Sequence, residues 1–550
     1  MWRSILLLTV LFIPVSALSS RAAENSLTAR KALPRKSGFT RFRTISFSAG
    51  IGSLPRSGCE TAAATQPAAY AGNVRLDCDG ETPHNETTLA IDPLDPEHAV
   101  GGYHAYLLSF NGNTVVGHVV GSASVTFDGG ATWREVVPPI TPYQFTGDPA
   151  LAFDSHGRVY FSNIADHEGP GGSYTGPSVV VARSDDGGQS WSSPVTVANG
   201  STAITKGKLY GPNVFNDKDF IAADSGMASP FRDRVYVTWT RFTDFFSKQK
   251  ASFSAPIMLS YSDDGLSWSP GKAISGFSPT LCNARILGAP GQCDVNQESY
   301  PAVAPDGKVY VSFTNFNTIV NSQILVVSSK DGGSTWGPPA RVDFIQEGNL
   351  PLSPEGEPVL TGCRFRLTAK SNTATDPNDP TGNTVYVVWA DSRNGSWDPD
   401  LGNFRTNSDV FLGRSADGGM TWSVLPVDSS LNDQFFPWVA VAPDGRVDVG
   451  YMDRAYSAGQ AECRYGYSLT RLTFSASGDL ASSVKSRLDS SLSDPGNSFW
   501  FGTNSAFIGD YSAIAVDTGG RTWALWTDER APVSEADLRR GQHAVAALAP

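Results

Sequence analysis

The chain has 550 residues, and its 54 glycines, 36 prolines and 11% aromatic residues suit short strands and tight turns. Its formal net charge of -12 at pH 7 argues against a nucleic-acid partner and against an anionic membrane surface. Length alone would predict about three or four domains of ~150 residues. The internal repeats described below instead predict one closed array after a short leader.

The N-terminus carries a targeting pattern. Arg3 precedes an apolar run from Ile5 to Ala17, which is short for a membrane span and is followed by small residues. This pattern predicts a secretory signal peptide over residues 1–23, with cleavage after Ala17 or Ala23. No later segment is long and apolar enough to span a bilayer, so we expect a soluble protein that is secreted or periplasmic. Residues 24–72 have no clear period and are predicted to form a flexible lead-in.

From residue 73 onward, a unit of two strands recurs. A short apolar strand, a turn of Asp, Pro or Gly, and a second apolar strand occupy residues 149–161, 301–313, 437–449 and 512–524. Weaker copies begin near Glu86, Asp219 and Phe365. The pattern therefore repeats seven times, which is typical of a repeat architecture.

A second repeat, of the form [ST]-x-D-x-G-x-[ST]-W, is interleaved with the first. An Asp carboxylate can accept hydrogen bonds from the backbone that follows it, and Gly permits positive φ, so the pattern predicts a tight turn. Tyr261 replaces the first Ser/Thr in the third copy. The five copies are centred on Asp128, Asp186, Asp263, Asp331 and Asp417, and they end at Trp133, Trp191, Trp268, Trp336 and Trp422.

Together the two repeats predict four strands in each unit. In one unit these are residues 301–304, 308–313, 324–329 and 340–343. Radially repeated units of four antiparallel strands form the blades of a β-propeller. The last unit lacks an obvious fourth strand, and residues 73–77 are predicted to supply it and close the ring. The sequence thus predicts an all-β fold in which residues 73–550 form one propeller.

The second repeat resembles the Asp box of the sialidase-like, BNR-repeat β-propellers, and the resemblance covers roughly residues 73–550. It implies an exo-acting glycosidase of sialidase type that acts on a glycan or glycoconjugate. A non-catalytic propeller that binds glycans or protein partners is the alternative. Sialidases have six blades, whereas the repeat count here is seven. Six blades remain an alternative if the two divergent last units are one blade with an insertion.

Blade topology predicts which face carries chemistry. The loops that lead into the first strand and those that join the second and third strands share one face, whereas the Asp boxes lie on the other. The Asp boxes are therefore predicted to be structural. The resemblance implies Asp148 as acid/base, Glu298 as base and Tyr511 as nucleophile, because sialidases use a Tyr nucleophile. It also implies an arginine clamp for a carboxylate, with Arg366 and Arg454 as members and Arg393 and Arg530 as equally placed candidates.

One departure from the family affects this assignment. Its first clamp arginine lies in an F/Y-R-I-P motif that leads into the first blade, and this chain has His84-Asn85-Glu86-Thr87-Thr88 there. An acid followed closely by Arg also has a structural interpretation, because such pairs can tie strand ends together. Both interpretations stay open at the level of sequence.

The cysteines and the oxygen-rich loops complete the predictions. Six cysteines in an exported chain permit three disulfides. Cys282 and Cys293 flank a short loop and are predicted to pair, and Cys59–Cys78 and Cys363–Cys463 would complete the set; buried free thiols are the alternative. No cofactor is predicted. The loop 376–383 could hold calcium, but it lacks EF-hand spacing, which favours a solvated turn.

Overall fold

A computed structural model describes residues 45–46, 59–66, 68–78, 82–111, 114–169, 173–174, 176–201, 204–205, 208–209, 213–246, 251–284, 290–319, 321–346, 350–353, 356–368, 371–457, 462–498, 500–501, 505–530 and 541–549. The predicted signal peptide lies outside these residues. The described fold is a β-propeller of seven antiparallel blades, as predicted, and the sixth and seventh units are separate blades. Its helices are three-residue 3-10 turns.

In each blade the first strand along the chain is the innermost, beside the central channel, and the later strands lie progressively further out. Blade 1 contains His84–Ile91, Ala99–Asn111, Thr114–Thr126 and Thr132–Val136. Blade 2 contains Phe145–Phe153, Val159–Asp166, Ser178–Ser184 and Val195–Ala198. Blade 3 contains Asn213–Ala223, Val235–Phe246, Ile257–Ser262 and Lys272–Ala273, with Ala251–Ser254 paired to its second strand.

The remaining blades follow the same plan. Blade 4 contains Asn296–Val303, Val309–Asn315, Ser322–Ser329 and Ala340–Ile345. Blade 5 contains Asn372–Thr375, Val385–Asp391, Asp409–Ser415 and Ser423–Asp428. Blade 6 contains Gln434–Val441, Val447–Asp453, Gly466–Phe474 and Leu480–Arg487. Blade 7 contains Ala513–Val516, Thr522–Asp528 and His543–Ala549, with Val74–Arg75 as its fourth strand.

The ring closes through a strand from the start of the chain. Val74 and Arg75 pair with Ala546 and Val545, which confirms the prediction that residues 73–77 complete the last blade. Aromatic contacts seal the same junction: the rings of Trp133 in blade 1 and Trp523 in blade 7 meet edge to face at 6.2 Å. The added strand covers the outer edge of His543–Ala549, which would otherwise be open to pairing with another chain.

Part of the predicted lead-in is described, and it packs on the propeller. Glu60–Ala62 pairs with Thr132–Val136 as an additional outer strand of blade 1. Tyr70 is buried in the main apolar cluster, and the Arg530 guanidinium lies over its ring at 4.6 Å from the centroid. Residues 59–66 and 68–72 therefore pack against blades 1 and 7.

The Asp boxes lie between the third and fourth strands of blades 1 to 5. In the copy at Asp331, Oδ1 accepts from the Ser329 hydroxyl and from the Thr335 N–H, both at 2.8 Å. Oδ2 accepts from the Thr335 hydroxyl. These bonds hold the pKa of Asp331 below its ordinary value against the opposing effect of burial. The copies at Asp128, Asp186 and Asp417 have the same pattern of bonds.

The third copy differs from its predicted alignment. Its capping carboxylate belongs to Asp264, which accepts from the Ser262 hydroxyl at 2.9 Å and from the Ser267 N–H at 2.7 Å. Asp263 instead binds Arg234, with Nε to Oδ1 at 2.7 Å. The turn is one residue shorter than the pattern assumes, so Ser262 takes the place assigned to Tyr261. This corrects the assignment of Asp263 to the Asp box.

Three disulfides are present. Cys282–Cys293 is bonded as predicted, and Cys59–Cys78 and Cys363–Cys463 complete the set. Cys363 precedes blade 5 and Cys463 lies between the second and third strands of blade 6, so this bond joins two loops on the face opposite the Asp boxes. Among the described residues, no helix is long and apolar enough to cross a membrane.

Candidate functional site

The face opposite the Asp boxes, called the mouth face here, is shaped by a bulge that recurs in the innermost strands. The pairing register shifts in blades 1, 2, 3, 4 and 6. One residue in each bulge has φ between 50° and 62°, namely Glu86, Asp148, Lys218, Glu298 and Phe436. Such a backbone costs a residue with a Cβ about 1–3 kcal/mol, and it concentrates at functional sites. Four of the five residues are charged.

Lys218 is the centre of the charged residues at the mouth. Its ammonium lies 2.6 Å from Asp510 Oδ2, 3.4 Å from Glu86 Oε1 and 3.6 Å from Asp148 Oδ1. Burial alone would lower the pKa of Lys218, but the charges of Asp148, Asp510 and Glu86 raise it well above its ordinary value. One buried cation from blade 3 therefore links carboxylates from blades 1, 2 and 7.

Arg366 supplies a second cation. Its Nε donates to Asp510 Oδ1 at 2.8 Å and its Nη2 donates to Asp510 Oδ2, so the pair is bidentate. Burial alone would lower the pKa of Arg366, but Asp510 raises it well above its ordinary value. The Arg366 side chain remains 19% exposed and that of Asp148 15% exposed, whereas Asp510 is fully buried. Asp148 and Arg366 are thus the charged residues here that solvent can reach.

His104 lies beneath Asp148 and is held neutral. Its Nε2 accepts the backbone N–H of Asp148 at 2.6 Å, so the ring proton is on Nδ1, which lies 3.2 Å from Asn85 Oδ1. Burial lowers the pKa of His104 to about 4, with smaller and opposed effects of Asp148 and Lys218. The 3.3 Å approach of Nε2 to Glu86 Oε2 is therefore not an ion pair. We name Glu86, His104, Asp148, Lys218, Arg366 and Asp510 the mouth cluster.

Three members of the mouth cluster have the composition of a metal site. Glu86, His104 and Asp148 each offer a ligand atom, and these atoms lie within 4.8 Å of one another. However, the Lys218 ammonium already lies against both carboxylates, and His104 Nε2 accepts the Asp148 N–H. The lysine occupies the position of a cation, so the arrangement does not favour a metal.

Tyr511 and Glu298 line the same small cavity, together with Tyr300, Trp438 and Asp510. The Tyr511 hydroxyl donates to the Pro149 carbonyl at 3.1 Å. Burial raises the pKa of Tyr511 well above its ordinary value, and the charges of Glu86 and Asp148 raise it further. A nucleophilic Tyr requires the opposite effect on its pKa.

The other three clamp candidates each bind an aspartate at a strand end. Arg393 donates to Asp391 from Nε at 2.9 Å and from Nη2 at 2.6 Å. Arg530 binds Asp528 in the same way, at 2.8 and 2.7 Å. Each aspartate also accepts from a Trp indole two residues earlier, Trp389 or Trp526. In this repeated W-x-D-x-R arrangement the aspartate holds the arginine at the end of its own strand, and the arginine then reaches a neighbouring segment. Arg393 donates to Asp343 of blade 4 at 3.0 Å, and Arg530 donates to the Ser490 hydroxyl at 2.7 Å.

Arg454 is paired as well. It is buried and binds Asp433 through Nη1. Burial lowers the pKa of Arg454, and Asp433 partly offsets that effect. Of the four arginines in the predicted clamp, Arg366 is therefore the one that contacts the mouth cluster.

Three members of the mouth cluster were not among the site residues predicted from the sequence, namely Glu86, His104 and Lys218. In each bulged strand, regular pairing resumes two residues after the residue with positive φ. In blades 1 to 4 it resumes at Thr88, Ala150, Phe220 and Tyr300. An alignment of the repeats on Pro149 and Pro301 does not match these residues to one another. Asp148 lies one position before its proline, whereas Glu298 lies three positions before its own. Aligned on the bulge, Glu86, Asp148, Lys218 and Glu298 occupy one position of the repeat.

The loop 376–383 uses its carboxylates for its own backbone. Asp379 Oδ2 accepts from the N–H groups of Asn383 and Thr384 at 2.9 and 2.7 Å, and Oδ1 accepts from Thr381 N–H at 2.9 Å. Although burial opposes it, hydrogen bonding from Thr381 and Thr384 lowers the pKa of Asp379 to about 2. These bonds are those of a closed turn.

The solved structures similar to this chain include several sialidases, all at low sequence identity. No protein-family model matches the chain, and no curated protein matches it. A Hadza microbial sialidase is 16% identical with a TM-score of 0.40, over 68% of this chain and 64% of that chain. The intramolecular trans-sialidase from Ruminococcus gnavus is 12% identical with a TM-score of 0.41, over 77% of this chain and 98% of that chain.

The NanB sialidase from Streptococcus pneumoniae is 11% identical with a TM-score of 0.39, over 85% of this chain and 94% of that chain. The alignment thus spans less than two thirds of the Hadza sialidase. Similarity at this level carries no argument about activity. The structure itself shows radial four-stranded blades with Asp boxes.

Proposed function

We propose that the chain is a glycan-binding β-propeller whose site is the mouth cluster. The observation that carries this proposal is the convergence of charged residues from separate blades on one point. Lys218 meets Asp510, 292 residues away, and Glu86, 132 residues away. A buried ion pair is weak evidence for stability, because apolar residues of similar volume often serve the fold equally well. Charged residues gathered in a concave site are instead functional-site candidates.

The groups that solvent reaches suit sugar hydroxyls. The Asp148 carboxylate can accept hydrogen bonds and the Arg366 guanidinium can donate them. Both are fixed by their ion pairs, so little side-chain entropy is lost when a sugar binds. A hydrogen bond to a charged group contributes about 1.5–3 kcal/mol. Two such groups are sufficient to orient one sugar ring at the mouth.

The charge balance supports sugars without a carboxylate. The mouth cluster has three carboxylates against two cations and a neutral His104, which leaves one formal negative charge. Both cations are already engaged by carboxylates. An acidic sugar would add a fourth carboxylate to this cluster, and like charges at close range are unfavourable. We therefore expect uncharged or amino sugars to bind more tightly than sialosides.

A glycan array tests this proposal. The wild-type protein should retain uncharged or amino glycans and leave sialosides unbound. Asp148→Asn should weaken the retained binding at least tenfold, whereas Asp185→Asn, the same substitution at an exposed residue of an Asp box, should leave it unchanged. Thermal melting of both variants verifies folding. If no glycan binds, or if the two variants behave alike, the proposal is wrong.

Hydrolysis of a sialidase type is the second candidate, because Tyr511, Glu298 and Asp510 line one cavity. A fluorogenic sialoside tests it directly. Turnover by the wild-type protein that is lost in Tyr511→Phe would favour this candidate over simple binding. The raised pKa of Tyr511 and the engaged arginines lead us to expect no turnover.

A further inference from the structure

The loop between the second and third strands of blade 5 forms a small hairpin on the mouth face. Ser396–Asp398 pairs with Asn403–Arg405, and we call residues 396–405 the Trp397 hairpin. Trp397 is 65% exposed and Leu401, at the turn, is 50% exposed. Among the tryptophans whose side-chain burial the structure describes, Trp397 is the one that is largely exposed. One hairpin on the mouth face thus exposes two large apolar side chains, a surface that a bound ligand can cover.

The hairpin is held rigid by its own polar contacts. Arg405 donates to Asp398 Oδ2 from Nε at 2.7 Å, and Asp398 Oδ1 accepts the N–H groups of Asp400 and Leu401 at 2.9 and 3.2 Å. Phe404 pairs with Trp397 across the hairpin, and its ring fills the space beside Gly395. A Cβ atom added to Gly395 would lie 2.4 Å from Phe404 Cε1. The backbone of the hairpin that carries Trp397 is therefore held in one conformation.

The same hairpin is fastened to the segment that carries Arg366. The N–H of Thr361 donates to the Thr406 hydroxyl at 2.9 Å, and the N–H of Thr406 donates to the Thr361 hydroxyl at 2.8 Å. Cys363, bonded to Cys463, lies between Thr361 and Arg366. Thr361 and Arg366 are five positions apart in the chain, so their Cα atoms are separated by at most about 18 Å. The Thr361–Thr406 contact that anchors the hairpin is therefore within reach of a short oligosaccharide held at the mouth cluster.

We infer that Trp397 is an outer subsite that stacks on a sugar ring of an oligosaccharide whose terminal residue occupies the mouth cluster. This inference rests on the proposed function. An indole offers a flat apolar surface to the C–H face of a sugar, and the exposed carboxylate of the neighbouring Asp400 can accept hydrogen bonds from the hydroxyls of that sugar. The hairpin has two acids and one base, so its charge does not favour an anionic lipid surface.

The test compares chain lengths in four proteins. Uncharged tetrasaccharides retained by the array are titrated calorimetrically beside their terminal monosaccharides, into the wild type, Trp397→Ala, Trp397→Phe and Met420→Ala. Met420 is the matched control, because it is 72% exposed on the Asp-box face of the same blade. Trp397→Ala should weaken tetrasaccharide binding about tenfold and leave monosaccharide binding unchanged. Trp397→Phe should keep most of the affinity, and Met420→Ala all of it.

The outcomes separate the inference from the proposed function. If Trp397→Ala binds the tetrasaccharide like the wild type while Asp148→Asn does not, the outer subsite is wrong and the mouth site stands. If the wild type binds no saccharide of either length, both are wrong. If Trp397→Ala instead abolishes self-association or binding to anionic vesicles, with saccharide binding intact, the hairpin serves a second copy or a lipid surface and the inference is overturned.

Discussion

The ammonium of Lys218 is the contact on which the mouth cluster depends, and its removal is the sharpest test of that arrangement. Lys218→Met keeps the length of the side chain and deletes its charge. Asp510 would retain Arg366, but Glu86 and Asp148 would each lose a cation at 3.4 and 3.6 Å. Breaking a buried ion pair by deleting one partner typically costs 3–5 kcal/mol. Because two carboxylates lose their cation, we expect a loss of about 4 kcal/mol in the free energy of unfolding.

Urea denaturation at pH 7.5, followed by tryptophan fluorescence, measures this loss. The urea concentration at the midpoint of unfolding should fall, and the dependence of the free energy of unfolding on urea concentration should stay unchanged. Lys272→Met is the matched control, since Lys272 is exposed and donates to the Ser334 carbonyl; we expect it to change stability by less than about 0.5 kcal/mol. Adding Glu86→Gln to Lys218→Met should recover part of the loss, because one of the two uncompensated charges is removed.

The loss should also depend on pH with a defined sign. A buried carboxylate without its cation has a folded-state pKa above its unfolded value near 4, so its penalty is complete at neutral pH and shrinks as the pH falls towards 4. The difference between Lys218→Met and the wild type should therefore narrow from pH 7.5 to pH 4.5. A loss below about 1 kcal/mol, or a loss that is the same at both pH values, would refute the account of Lys218.

Other predictions concern protonation, packing and the disulfides. His104 has a folded-state pKa of about 4, below its unfolded value near 6.5. The free energy of unfolding of the wild type should therefore fall by about 3 kcal/mol as the pH drops from 6.5 to 4. The same urea titrations of His104→Asn should lack this pH-dependent loss. Trp133→Ala, at a fully buried Asp-box residue, should cost about 3–5 kcal/mol, and Trp336→Ala, at a partly buried one, clearly less; equal melting temperatures would contradict this. Mass spectrometry of an unreduced digest should find all three disulfides. Cys363→Ser, which opens a loop of 100 residues, should lower the melting temperature more than Cys282→Ser, which opens one of 11.

The repeats of the sequence were sufficient to predict the architecture, because each blade carries its own local pattern. Alternating apolar residues, the turns between strands one and two, and the Asp boxes are all set within about 40 residues. Even ring closure was predictable, since the last unit lacked a strand and residues 73–77 had the composition of one. The exception was the third Asp box, where Asp263 and Asp264 are adjacent and only the hydrogen bonds decide which one caps the turn.

The candidate site was far less predictable, because it forms between blades. Nothing local to Lys218 indicates that it meets Asp510, and the bulge that turns it towards the mouth depends on the pairing register rather than on a residue type. Arginine placement was equally ambiguous in the sequence. Arg393 and Arg530 follow an Asp at the end of a strand, which fits a ligand clamp or a structural tie, and the indole bonds from Trp389 and Trp526 to those aspartates favour the tie.

One calorimetric comparison decides whether the mouth cluster prefers uncharged to acidic sugars. The wild-type protein is titrated with the best-bound uncharged glycan of the array and with the same glycan carrying a terminal sialic acid. We expect measurable affinity for the first and at least tenfold weaker binding of the second, because the cluster already has one excess negative charge. Equal or tighter binding of the sialylated form would contradict the account of the site.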